Sequence, residues 1–226
     1  MTACIIVGAG RGRRFKSKIP KTFYPFSGKP LLEYSIMKFS SCSVVDEIVV
    51  VVQKKFIKHK YVESWKKLFP KIKAVVAGGD CREKSVFNGF MNCSKDCDIV
   101  LVHDGARPFV SFRLIERVVK GVLKYGSCIP VYPVNGSVKI VKNKKLISTL
   151  FEKDLKIAQT PQGFRRDILE KVFSSNEQNL SSFPDEASMC ETLGYGVYTV
   201  DGEPTNIKIT TQEDLKIAHA LLKITC

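Results

Sequence analysis

The chain has 226 residues, with 36 Lys and Arg against 22 Asp and Glu, and a formal charge of +14. That length and 44% hydrophobic content fit one domain with a core of its own and exclude a disordered or disulfide-stapled chain. The positive balance points to a polyanionic partner, but Lys supplies 27 of the 36 cations and no aromatic platform interleaves with arginine. A small polyanion is therefore expected rather than nucleic acid.

In chain order, the apolar run "ACIIVGAG" predicts a first strand that empties into a glycine-rich loop. Apolar residues at three- and four-residue spacing predict helices over residues 31–39, 61–68, 84–91, 114–124 and 166–173. Between these patterns lie "EIVVVVQ", "IKAVVAGG", "DIVLVHDGARP" and "CIPVYPV", and later "YGVYTVDG". They are short, rich in Val and Ile, and lack strict alternation, as strands covered on both faces do. A last helix over residues 211–222 has Thr211 as N-cap and Asp214 three residues on, a capping box. Strands and helices alternating in this way predict an α/β fold, a Rossmann-like, doubly wound, mostly parallel sheet, with ligands beyond the C-terminal strand ends. One segment breaks the rhythm. "NGSVKIVKNKKLISTL" reads as two short strands around a polar turn, a β-hairpin arm over about residues 135–155 projecting from a single domain, 1–226.

The eight cysteines form no C-x-x-C pair, so reduced, mostly buried thiols are expected, and Cys93-x3-Cys97 has no histidine nearby to complete a metal site. No run is long enough to span a membrane, and the start "MTACIIVGAG" lacks a basic n-region, so a cytoplasmic location is expected.

The glycine loop carries the chemistry. From Gly8 to Lys21 it packs three glycines and six cations, Arg11, Arg13, Arg14, Lys16, Lys18 and Lys21, into 14 residues. Such a turn frees backbone N–H groups for phosphate, although a solvated charge run is the alternative. It is neither of the two familiar nucleotide loops. The third glycine of a G-x-G-x-x-G is replaced by Arg13, and Gly28-Lys29 is followed by proline rather than Ser or Thr.

Taken together, "GAGRGRRF", "IPKTF", "GKPLLEYSI", "AGGDCREKSV", "VHDGARPFV", "AQTPQGF", "PDEASMCETLG" and "GEPTNIKITTQEDLKIA" resemble the 2-C-methyl-D-erythritol 4-phosphate cytidylyltransferases of the non-mevalonate isoprenoid route, from the first strand to the last helix. The resemblance implies a nucleotide-diphospho-sugar transferase type of sheet and transfer of a cytidylyl group from CTP to methylerythritol phosphate, with release of pyrophosphate. It implies Arg14, Lys21 and Lys208 as the cations around the α-phosphate. It also implies nucleotide contacts from Gly8, Ala9, Gly10, Gly12, Gly79, Asp80 and Ser85, the last of which could instead cap a helix. Asp104 would hold a ribose hydroxyl, an acceptor hydroxyl or Mg²⁺. Arg107 would pair locally or, with Ser137, Lys153, Lys156 and Thr160, face the acceptor. His103 reads as structural, because an ionised phosphate needs no general base. Mg²⁺ is the implied cofactor, with its ligands unassigned, and a homodimer through the hairpin arm is the implied assembly.

Three positions depart from the family pattern. Glu152 stands where the family has an arginine that grips the acceptor phosphate across the dimer; Lys153, or Lys156 one turn on if the segment is helical, could replace it. Gly8 and Thr22 stand where alanine and glutamine are usual. A ribitol 5-phosphate cytidylyltransferase, or a basic nucleotide- or RNA-binding module without catalysis, are the other readings.

Overall fold

The structure is a computed structural model that describes residues 1–10, 12–150, 154–176 and 180–225. Arg11, Glu152, Lys153 and Cys226 lie outside the described residues.

The chain begins with β1 (Thr2–Val7), continues through the short pair β2 (Pro25–Phe26) and β3 (Lys29–Pro30), and enters α1 (Leu31–Ser41). There follow β4 (Glu47–Val52), α2 (Lys60–Leu68), β5 (Ile72–Ala77), α3 (Arg82–Phe90), β6 (Ile99–Asp104), α4 (Phe112–Tyr125) and β7 (Ser127–Pro133). The remainder comprises β8 (Val138–Lys142), β9 (Lys145–Leu150), β10 (Lys156–Ala158), β11 (Gln162–Arg165), α5 (Arg166–Asn176), α6 (Glu186–Thr192), β12 (Tyr198–Asp201) and α7 (Gln212–Thr225). Among the described residues the main sheet runs β10-β7-β11-β6-β1-β4-β5, with β12 added beside β7. Pairings β1–β4, β1–β6, β4–β5 and β7–β12 are parallel, while β11 and β10 run antiparallel to their neighbours.

The predicted double cover of the central strands is visible residue by residue. In β1, Cys4 and Ile6 face a core with Leu32, Ile36 and Phe39 of α1 and Leu114 and Val118 of α4. Ala3 and Ile5 face a second core with Val86 and Phe90 of α3 and Leu169 and Phe173 of α5. β4 and β6 divide their side chains in the same way, so both parities are apolar and no alternation shows in the sequence. The outer strands differ. β5 is half-buried and β12 largely exposed, because each lies at a margin of the sheet.

Helix ends follow local chemistry. The Ser111 hydroxyl accepts from Leu114 N at 3.0 Å to cap α4, which stops at Gly126 with φ 87°. The predicted capping box of α7 is present: Asp214 N donates to Thr211 Oγ1 at 3.2 Å, and Thr211 N donates to Asp214 Oδ2 at 2.8 Å. The hairpin arm is a separate two-stranded sheet of β8 and β9. Its turn residues Asn143 and Lys144 have φ of 51° and 64°, as a tight hairpin turn requires.

Five of these elements were not predicted: β2, β3, β10, β11 and α6. The helical option for Lys156 fails, because Lys156 starts β10, opposite Pro133. Of the thiols, Cys4, Cys42, Cys93, Cys97, Cys128 and Cys190 are buried and Cys81 is half-buried, all free. Among the described residues no helix is long and apolar enough to cross a membrane.

Candidate active site

The parallel strands β1, β4, β5 and β6 end on one edge of the sheet, and there a cleft of about 610 Å³ opens. Its lining takes Ala9, Gly10 and Gly12 from the loop after β1, Lys21 from the turn beyond it, and Gln53, Lys54 and Lys55 from the end of β4. Gly78 to Arg82 and Ser85 come from the β5–α3 junction, Asp104 ends β6 and Ala106 follows it, and Lys208 arrives from the segment before α7. A larger groove of about 1020 Å³ lies at the opposite edge. Two of its cations, Arg165 and Arg166, are paired with Asp167 and Glu170 at 3.0 Å, and the glycine loop, Lys21 and Lys208 are not in its lining.

The glycine loop is held from behind. Gly8 N donates to Val51 O at 2.7 Å and Gly8 O accepts from Thr22 Oγ1 at 2.8 Å, so Gly8 anchors the loop and does not line the cleft. Gln53 Nε2 donates to Gly10 O at 3.1 Å. Gly12 sits at φ 60°, the left-handed conformation that lets the loop turn back towards Lys21. At Gly78 a Cβ would overlap the side chains of Ala9 and Ser85, so the missing side chain lets these two sit against the backbone there. Ser85 is not the cap of α3. Cys81 is, through its Sγ to Lys84 N, while Ser85 Oγ donates to Cys81 O at 2.8 Å and accepts from Gly79 N at 3.1 Å. Ser85 thereby shapes the Gly79–Asp80 turn.

The charges meet at Asp104, which is 7% exposed. Its Oδ2 lies 2.7 Å from Lys208 Nζ and 3.6 Å from Arg107 Nε, and its Oδ1 lies 3.4 Å from Arg82 Nε. Burial alone would raise this carboxyl, but Arg82, Lys208 and Arg107 hold it well below the usual carboxylate range. Burial, and then the charge of Lys208, lower the Lys21 ammonium to about 8. Arg14 is exposed on the turn Arg13–Phe15, outside the cleft lining, yet its charge reaches Lys21.

Several expected contacts lie elsewhere. The Arg107 guanidinium donates to Asn206 O at 2.7 Å and to Ala158 O at 3.4 Å, which ties three segments behind the cleft. Thr160 is buried, with its hydroxyl accepting from Asp104 N at 3.1 Å and 3.1 Å from His103 Nδ1. Burial pushes His103 down to about 3, so it is a neutral packing group. Ser137 and Lys156 are exposed at the arm and its return strand, away from the cleft lining. Sequence reasoning missed Arg82, Gln53, Lys54 and Lys55. Arg82 stood within the quoted "GGDCREKS", but no spacing rule marks a lone arginine on a helix as facing a site.

The family model for 2-C-methyl-D-erythritol 4-phosphate cytidylyltransferase (IspD) matches residues 2–224. The chain is 40% identical to the 2-C-methyl-D-erythritol 4-phosphate cytidylyltransferase of Clostridium kluyveri over 97% of this chain and 95% of that protein. It is 36% identical to that of Alkaliphilus oremlandii over 98% and 95%. The structure superposes on 4-diphosphocytidyl-2C-methyl-D-erythritol synthase from Anaerococcus prevotii with a TM-score of 0.85 and 27% identity, covering 98% of this chain and 96% of that one. With the whole length matched, the chain belongs to the 2-C-methyl-D-erythritol 4-phosphate cytidylyltransferase family.

Proposed function

We propose that this protein transfers the cytidylyl group of CTP to 2-C-methyl-D-erythritol 4-phosphate, a step in isoprenoid precursor synthesis. The observation that carries the reading is the convergence of the glycine loop, Lys21, Lys208 and Asp104 on one cleft at the strand C-terminal edge. An oxygen of the acceptor phosphate attacks the α-phosphorus in line. A new P–O bond forms, the bond to the bridging oxygen breaks, and its electron pair leaves with pyrophosphate. The attacking oxygen is already ionised, so the protein's work is to position the reactants and to stabilise charge on the equatorial oxygens. Lys21 and Arg14 approach from the loop side, and Lys208 from the opposite wall once it exchanges Asp104 for phosphate. Asp104, relieved of Lys208, is placed to accept from an acceptor or ribose hydroxyl.

The donor set fits a magnesium ion carried mainly on the triphosphate. Among the described residues no three His, Cys, Asp or Glu cluster as a metal site, and magnesium commonly uses one or two carboxylates with substrate phosphates. Asp80 and Asp104 are the carboxylates of the lining that would contribute, and when bound the ion would neutralise phosphate charge.

The arm exposes Ile140, Val141, Leu146 and Ile147. That apolar surface supports a homodimer through the arm, with Ser137 and Lys156 offered to a partner's cleft; sedimentation of the protein tests it, and a monomer at working concentration excludes it. The activity is tested by pyrophosphate release from CTP and Mg²⁺ with methylerythritol 4-phosphate, with ribitol 5-phosphate and with no acceptor. Turnover confined to the first supports the proposal, whereas turnover confined to ribitol phosphate reassigns the acceptor and attributes the change to Glu152.

A further inference from the structure

Glu186, the first residue of α6, is fully buried and takes no part in the chemistry above. Its two carboxylate oxygens accept from Arg82 Nη1 at 2.9 and 3.1 Å. Arg82 Nε in turn reaches Asp104 Oδ1 at 3.4 Å. The end of α6 is itself fixed, since Asp185 forms a capping box with Ser188 and accepts from Gln162 Nε2 at 2.8 Å. A buried ion pair is weak support for stability, because desolvating two charges offsets much of their attraction. This pair has a second consequence. Arg82 lines the cleft, and a free guanidinium there would turn to the nucleotide's phosphates. Binding the ground state as tightly as the transition state adds nothing to kcat. Moreover, when Lys208 leaves Asp104 for phosphate, tethered Arg82 stays beside Oδ1 of the carboxylate, as Arg107 stays 3.6 Å from Oδ2.

We infer that Glu186 is a positioning residue that tethers Arg82 beside Asp104 and off the nucleotide's phosphates, so that Lys208 can exchange Asp104 for the α-phosphate. The inference rests on the cytidylyl-transfer reading.

The test measures CTP affinity by calorimetry with Mg²⁺, and kcat by pyrophosphate release, in the wild type, Glu186→Gln, Arg82→Gln and the double variant. Glu186→Gln is expected to tighten CTP binding about threefold or more while lowering kcat about tenfold. Glu186→Asp, which keeps the charge on a shorter arm, shifts both in the same directions by less, and serves if the glutamine variant does not fold. In the Arg82→Gln background, adding Glu186→Gln changes neither quantity more than about twofold. Affinity and kcat worsening together, or effects of Glu186→Gln that persist without Arg82, overturn the tether. If the wild type binds CTP but transfers to no methylerythritol phosphate, the functional reading fails and the affinity arm still decides the tether. A wild type that binds no CTP overturns both.

Discussion

Replacing Lys21 with methionine should make the free protein more stable as it destroys its activity. The ammonium is lowered from 10.5 to about 8 by burial and by Lys208, so holding it charged in the folded state costs free energy. Fully expressed, that displacement amounts to about 3 kcal/mol; with Lys21 only partly buried and so screened, about 2 kcal/mol is expected. The sign follows from proton counts. Between pH 8 and 10.5 the unfolded chain keeps this proton and the folded chain does not, so the penalty is complete below pH 8 and fades as pH rises. At pH 7, Lys21→Met should therefore melt higher by about 4–8 °C, given roughly 2–4 °C per kcal/mol for a chain of this size. The gap should close towards pH 10.5. Methionine keeps the stem that packs near Gly12, so the comparison isolates the charge. Calorimetric melting of both proteins across this range is the assay. A variant that melts at or below the wild type at pH 7, or a gap that widens with pH, refutes the reasoning. Bound phosphates should draw the proton back, so CTP binding is expected to take up a proton near pH 8–9, visible as a buffer-dependent binding enthalpy.

On the proposed reading that Arg14 and Lys208 meet charge developing in the transition state, removing either should lower kcat on the order of a hundredfold or more and change KM for CTP far less; steady-state kinetics with unchanged kcat would remove either from that role. Glu152→Arg should lower the acceptor KM if the phosphate grip is weakened there, and an unchanged KM would place the grip on another cation such as Lys156. Gly89→Ala in α3 should destabilise by about 1–3 kcal/mol, since its Cβ would meet Ile5 Cγ2 at 2.5 Å and Val51 Cγ2 at 3.0 Å; an unchanged melting temperature would mean the helix shifts freely off the sheet.

Much of this molecule is legible locally. The Val- and Ile-rich runs, the Thr211–Asp214 capping box and the polar turn at Asn143–Lys144 each depend on neighbours in sequence, so strands, last helix and arm could be read without a structure. The loop from Gly8 to Lys21 could be singled out for the same reason, as its glycines and charge are sequence-local. The rest depended on residues far apart in the chain. β11 is a four-residue antiparallel strand inserted between β6 and β7, and "QGFR" acquires strand character only from the partners on both sides. Arg107 and Thr160 sit in motifs that suggest substrate contacts, yet their polar groups are taken by Asn206, Ala158, His103 and the Asp104 backbone. The link from Glu186 through Arg82 to Asp104 joins residues 104 and 22 positions apart. Periodicity and motif spacing report which face of an element is apolar; which buried charge finds which partner is decided only when the sheet brings the ends of β5 and β6 and the start of α6 together.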